Sequence, residues 1–387
     1  MQRIHGQDSF LLKSGSVELA ITRLGGHLGP VTFFPDSPRP LQPYAIAPWA
    51  EETIPPDTPA LIKVLRGDFF CSAFGANAEL VRGRKLPLHG ETANGVWEPI
   101  TQREEQSGCW FKLGMDLPLQ GGRCEATTAV LKDHSIIYQR HDLMGLTGPI
   151  NPGHHATLAF PNRQGAGRLS VSRWQLARTY FEPVETAESG GRSRLLADAE
   201  IRDLQAAPCV DGSTIDLTSY PGRRGFEDVA MVCADPQVEL GWSAVAFPEQ
   251  RYVWFALRDP RQLTCTLLWF SNGGRDYAPW NGRHVNVMGI EDMTGYFQTG
   301  LATSSRANAL SARGVPTYLE PGAGGQLSIT YIQGVARIPA GFDRVADIQP
   351  HRNSRSVRIV SESAIPVDVP CQVDFLTSGR LPGMELS

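Results

Sequence analysis

Three polar clusters interrupt otherwise apolar text, and each carries side chains able to do chemistry. The first is Arg66-Gly67-Asp68, running on to Phe74-Gly75 and followed by Leu88-His89-Gly90 and Trp97. The second is Asn151-Pro152-Gly153-His154-His155. The third is Trp280-Asn281-Gly282-Arg283, then Gly289-Ile290-Glu291-Asp292-Met293. Histidine exchanges a proton near neutral pH. A carboxylate among apolar neighbours, as Glu291 is between Ile290 and Met293, is raised in energy when charged and becomes a stronger base. An imidazole and such a carboxylate together can take a proton from one atom of a small polar molecule and return one to another. Arg66 offers a planar fork of donors to hydroxyl or ring oxygens. Trp280, in a Pro-Trp-Asn-Gly loop, offers a face for stacking. Asp211 and Asp216 lie in a polar stretch before Tyr220-Pro221, where they could meet a substrate.

Plainer readings stand beside these. Glu291 could pair with an arginine at a strand end, and Arg66 could hold Asp68. His89 could be a turn histidine bonded to backbone, and Trp97, Trp269 and Trp280 could be core aromatics. His154, His155 and His141 do not make a metal site by spacing, because adjacent strand residues point apart and no HExxH or Cys/His pattern is present. Pro321 to Gly325 lacks the Gly-Lys-Ser/Thr of a phosphate loop, and neither a nucleophile elbow nor a dinucleotide fingerprint occurs. No cofactor is expected.

The elements that must position these residues are strands. In residues 17–22 the larger apolar side chains recur at every second position, the period of a half-buried strand. Similar runs, rich in Val, Ile, Thr, Tyr or Trp and bounded by turn residues, occupy 31–34, 135–138, 168–171, 242–247, 252–257, 264–270, 327–332, 357–360 and 371–376. Only 193–204 and 303–310 read as helical. Gly and Pro together make up about 18% of the 387 residues, against a usual level of about 12%. Such a chain turns often. Without a linker or a fixed-period repeat, the pattern predicts one all-β domain over 1–387, a large antiparallel sandwich of two packed sheets with few short helices.

Composition narrows the partners. The net charge of −4 and the lack of a basic run argue against nucleic acid. No stretch approaches the roughly 18 apolar residues that span a bilayer, and the start lacks a signal-peptide pattern, so a cytoplasmic protein is expected. Seven cysteines with no CxxC pair read as reduced, buried small hydrophobes.

The three clusters, in this order, resemble the galactose mutarotase-like superfamily, the aldose 1-epimerases and hexose-phosphate 1-epimerases. Arg66-Gly67 through Phe74-Gly75, with His89-Gly90 before Trp97, is similar to the hexose-phosphate epimerase pattern. Gly153-His154-His155 is similar to the family's Gly-x-His turn, and the segment ending in Glu291 to the one bearing its catalytic Glu. The resemblance implies a β-supersandwich that interconverts sugar anomers. Glu291 would be the general base and His155 the general acid, facing each other across a gap the width of one pyranose. Arg66, His89, His154, Trp280 and Asp211 would be sugar contacts. The implied partner is a small sugar or sugar phosphate; the alternative is a sugar-binding or sensor protein without turnover. Two departures bear on sugar specificity. The Asn-Arg pair of galactose mutarotases proper is absent, with Asn77-Ala78-Glu79 nearby, and Glu91 follows His89-Gly90.

Overall fold

The computed structural model describes residues 1–351 and 355–384. Two antiparallel sheets face each other. The six-stranded sheet runs, in spatial order, Trp174–Thr179, Phe226–Ala234, Cys265–Asn272, Val287–Met293, Gly153–Ala159 and Phe70–Cys71. The nine-stranded sheet contains Gly241–Phe247, Tyr252–Arg258, Leu327–Arg337 and Ile136–Met144 at its centre. Alternating residues of both sheets, among them Ala156, Leu268, Ile290, Trp254 and Tyr331, fill the core between them.

Both sheets are also covered on their outer faces. A three-stranded sheet (Val345–His351, Ser356–Ser361, Pro366–Pro370) and the helix Phe375–Ser378 join a second core that holds Val253, Phe255 and Leu257 of the nine-stranded sheet. Loops of the first hundred residues and of 280–315 cover the outer face of the six-stranded sheet, in a third core with Trp49, Phe69, Trp269 and Trp280. Strands buried on both faces read as continuous apolar runs, which is why all seven residues of Tyr252–Arg258 are buried. A four-stranded meander from Gln2 to Phe33 packs its apolar side chains on the central core.

The all-β expectation holds, with local differences. Residues 193–204 form no helix. Asp228 accepts the backbone N–H groups of Arg194 and Leu195, and isolated bridges tie Leu195 to Cys209 and Glu200 to Arg178. Those tertiary bonds replace the local i→i+4 ladder. Residues 371–376 end in the helix Phe375–Ser378 rather than a strand, and the 303–310 helix is shifted to Leu301–Ser304.

Candidate active site

Register brings the acid and the imidazole together. In the antiparallel pairing of Gly153–Ala159 with Val287–Met293, His155 lies directly opposite Glu291, flanked by Gly153 opposite Met293 and Thr157 opposite Gly289. Directly opposed residues share a sheet face, here the outer one. His155 Nε2 lies 3.2 Å from Glu291 Oε1, and Thr157 Oγ1 lies 3.2 Å from His155 Nδ1. Gly289 makes room for this pair: a Cβ there would sit 2.7 Å from Glu291 Oε1 and 3.1 Å from Trp269.

Both groups are almost fully buried. Burial pushes the Glu291 carboxyl well above the usual carboxylate range. Burial also pulls His155 well below the usual imidazole value, with His89 and His27 adding to the effect. The resting pair therefore shares one proton, held on the carboxyl and donated to Nε2, while Nδ1–H donates to Thr157. The His155 ring is stacked on Phe69 at 4.4 Å, and Phe69 in turn on His27 at 4.1 Å.

The pair forms one wall of a cavity of about 160 Å³, together with His89, Trp269, Arg275, Trp280 and Gln298 over an apolar surround that includes Leu61 and Leu65. His89 stands edge-on to His155, 5.1 Å between ring centres. It occupies a left-handed turn (φ 56°) ahead of Gly90, where a Cβ would meet the Ser72 carbonyl oxygen at 1.8 Å. The Gly75 N–H donates to His89 Nδ1, which leaves Nε2 to carry the ring proton. Burial takes His89 down to about 3, so it is a neutral donor.

Opposite them, Arg275 lies 4.5 Å over the Trp280 ring and donates from Nε to Glu185 at 2.6 Å. Trp269 Nε1 donates to Glu227. Burial pushes Glu227 up to about 7, with Arg275, Ser271 and Trp269 pulling the other way.

Several expected contacts lie elsewhere. His154, one residue along its strand, faces the inter-sheet core, where Nδ1 meets Asp68 at 2.9 Å and the ring stacks on Tyr331. Arg66 is wholly buried and donates to the carbonyls of Val64, Ile4 and His5 rather than to Asp68 or a cavity. Exposed Asp211 accepts both the N–H and the O–H of Ser213 within a turn. Glu91 accepts the backbone N–H groups of Leu119 and Gln120, so it secures a loop. Trp280 does reach the cavity, but Arg275 covers its ring. Trp269 is buried in the outer core as expected, and it also lines the cavity because 265, 267 and 269 share the outer face with Glu291.

The expected pyranose-wide gap is replaced by a direct contact. Asp292, next to Glu291, points into the core and pairs with Arg258 at 2.7 Å. Among the described residues no group of His, Cys, Asp and Glu is arranged to hold a metal ion. No helix among them is long and apolar enough to cross a membrane.

Solved structures share this arrangement of sheets. A candidate aldose 1-epimerase from Escherichia coli K12 superposes with a TM-score of 0.57 at 12% identity, over 86% of this chain and 100% of its own. A galactose mutarotase-like protein from Clostridium acetobutylicum gives 0.55 at 9%, over 87% and 98%. A galactose mutarotase related enzyme from Lactobacillus acidophilus gives 0.53 at 10%, over 86% and 99%. The chain has the galactose mutarotase-like fold. No protein-family model matches the sequence, and neither does any curated protein. At these identities the likeness is one of fold, and the mutarotase-like sheet is what sets Glu291 and His155 on one face.

Proposed function

We propose that this mutarotase-like protein is an aldose 1-epimerase-like isomerase that interconverts sugar anomers through Glu291 and His155. The observation that carries the reading is the buried carboxyl–imidazole pair, cross-strand neighbours in the wall of a cavity with polar groups around it. Opening a pyranose needs a proton taken from the C1 hydroxyl and one given to the ring oxygen. Those two oxygens are bonded to the same carbon, so a touching acid–base pair serves them from one side and no ring-wide gap is needed. Moving the shared proton along the 3.2 Å contact converts the resting form into carboxylate and imidazolium.

Glu291 then takes the hydroxyl proton while His155 protonates the ring oxygen. The bond from C1 to the ring oxygen breaks and the C1 carbonyl forms. After rotation about C1–C2 the same steps run backwards on the other carbonyl face, and both residues return to their starting protonation. The His89 Nε2–H is available to hold a sugar oxygen. Arg275 is the cavity's cationic wall residue and is already paired with Glu185, a charge balance that favours an uncharged sugar over a phosphorylated one.

The closed acid–imidazole contact and the small cavity favour a second reading, a sugar binder without turnover. Magnetisation-exchange NMR on a panel of free and phosphorylated aldoses, paired with calorimetry, separates the two. Enzyme-dependent exchange between anomers of an unphosphorylated sugar is expected. Binding without exchange supports the binder, and neither binding nor exchange refutes both.

A further inference from the structure

Cys233 and Cys265 are opposite one another on the neighbouring strands Phe226–Ala234 and Cys265–Asn272, with their sulfurs 3.2 Å apart. Directly opposed antiparallel residues have Cα atoms about 4.5–5.5 Å apart, inside the range of about 4.4–6.8 Å that a disulfide bridges. The other five cysteines are also free, and Cys233 with Cys265 is the pair whose sulfurs meet. The same face carries the opposed pairs Met231–Leu267 and Val229–Trp269, and Val229, Leu267 and Trp269 line the cavity beside Glu291. The thiol pair therefore sits two rungs along the sheet from the cavity.

We propose that Cys233 and Cys265 are a covalent modification site, a dithiol that a small peroxide oxidises to an inter-strand disulfide in the folded protein. The Cys265 thiolate attacks one oxygen of hydrogen peroxide. The O–O bond breaks, hydroxide leaves, and Cys265 becomes a sulfenic acid. The Cys233 sulfur then attacks the Cys265 sulfur, an S–S bond forms, and the sulfenic oxygen departs as water with the Cys233 proton. Two thiols are oxidised and one peroxide is reduced to two oxygens at the water level. The contact with Cys233 holds the Cys265 thiol below its usual value, which fits Cys265 as the attacking group. The disulfide fixes the spacing of the two strands that present Val229, Leu267 and Trp269. Both sulfurs are buried, so a small, uncharged oxidant is the fitting reagent.

The test treats the native full-length chain with hydrogen peroxide, then denatures it, alkylates it and maps its peptides. Two of the seven thiols should be lost, the Cys233 and Cys265 peptides should appear linked, and dithiothreitol should restore all seven. Cys233→Ser and Cys265→Ala should each abolish the linked peptide. Seven alkylated cysteines after native oxidation, a link formed only in denaturant, or loss at other positions would overturn the proposal. The wild-type map alone decides it, and no outcome depends on turnover.

Discussion

The adjacent carboxylates Glu291 and Asp292 should separate activity from stability, because the strand turns them to opposite faces. Asp292 is fully buried against Arg258. Its Oδ1 also accepts Thr266 at 2.7 Å and Ser243 at 3.0 Å, while Oδ2 accepts Tyr331 at 2.8 Å. Asp292→Asn strands the Arg258 charge in the core, and breaking such a buried pair costs about 3–5 kcal/mol. A chain of 387 residues has an unfolding entropy of about 0.8 kcal/mol per degree near its melting point. Thus Asp292→Asn should lower Tm by about 4–6 °C and leave the exchange rate per folded molecule near wild type.

Glu291→Gln swaps a carboxyl that burial already keeps neutral for an amide of the same shape. Its Tm should stay within about 1–2 °C, a cost below roughly 1.5 kcal/mol for one altered hydrogen bond. The anomer exchange rate should fall by about 10²–10⁴-fold, the worth of one positioned proton-transfer group. Differential scanning calorimetry and magnetisation exchange on the same samples measure both. The reasoning is refuted if Asp292→Asn melts with wild type, or if Glu291→Gln keeps the wild-type rate.

Three further outcomes follow from the same geometry. Thr157→Val removes the partner of His155 Nδ1, and exchange should slow about fivefold, the kinetic equivalent of a hydrogen bond of about 1 kcal/mol, with Tm little changed; an unaltered rate would show that Thr157 does not orient the ring. Arg66→Met leaves three backbone carbonyls without donors, so Tm should drop while KM stays put; a raised KM at unchanged Tm would return Arg66 to the substrate. His27, His89 and His284 are each held near 3 by burial. Their stabilising contribution is complete above the unfolded value of about 6.5 and is lost as pH falls towards 3, about 1.4 kcal/mol per pH unit for each. Glu227 runs the other way, losing its contribution as pH rises from its unfolded value towards 7. His134, His141 and His155 are held down in the same way, while Glu291 joins Glu227 on the other side. The histidines outnumber these two glutamates, so Tm should fall from pH 7 to pH 5; a flat profile would contradict the buried neutral rings.

What the sequence makes legible follows from periodicity. Alternation in runs such as 17–22 and 252–257 reports strands directly, and the spacing of Gly153, His155 and Thr157 puts them on one face. The same period separates His155 from His154 and Glu291 from Asp292. It cannot say which face is the core, and that is why His154 was expected beside the substrate. Arg66 misleads for another reason: a guanidinium looks the same in sequence whether it meets a ligand or three carbonyls. Arg275 carries no local signal at all, because its place depends on Glu185, ninety positions earlier. Helical text at 193–204 gives way to backbone N–H groups donating to Asp228, a residue distant in sequence.

The most direct measurement is a crystal structure of the protein soaked with the aldose whose anomers it exchanges. The pair should part to admit the anomeric centre, with the C1 hydroxyl and ring oxygens within hydrogen-bond distance of Glu291 and His155 and His89 on a third oxygen. A sugar bound elsewhere, above an unbroken Glu291–His155 contact, would contradict the assignment of these two residues.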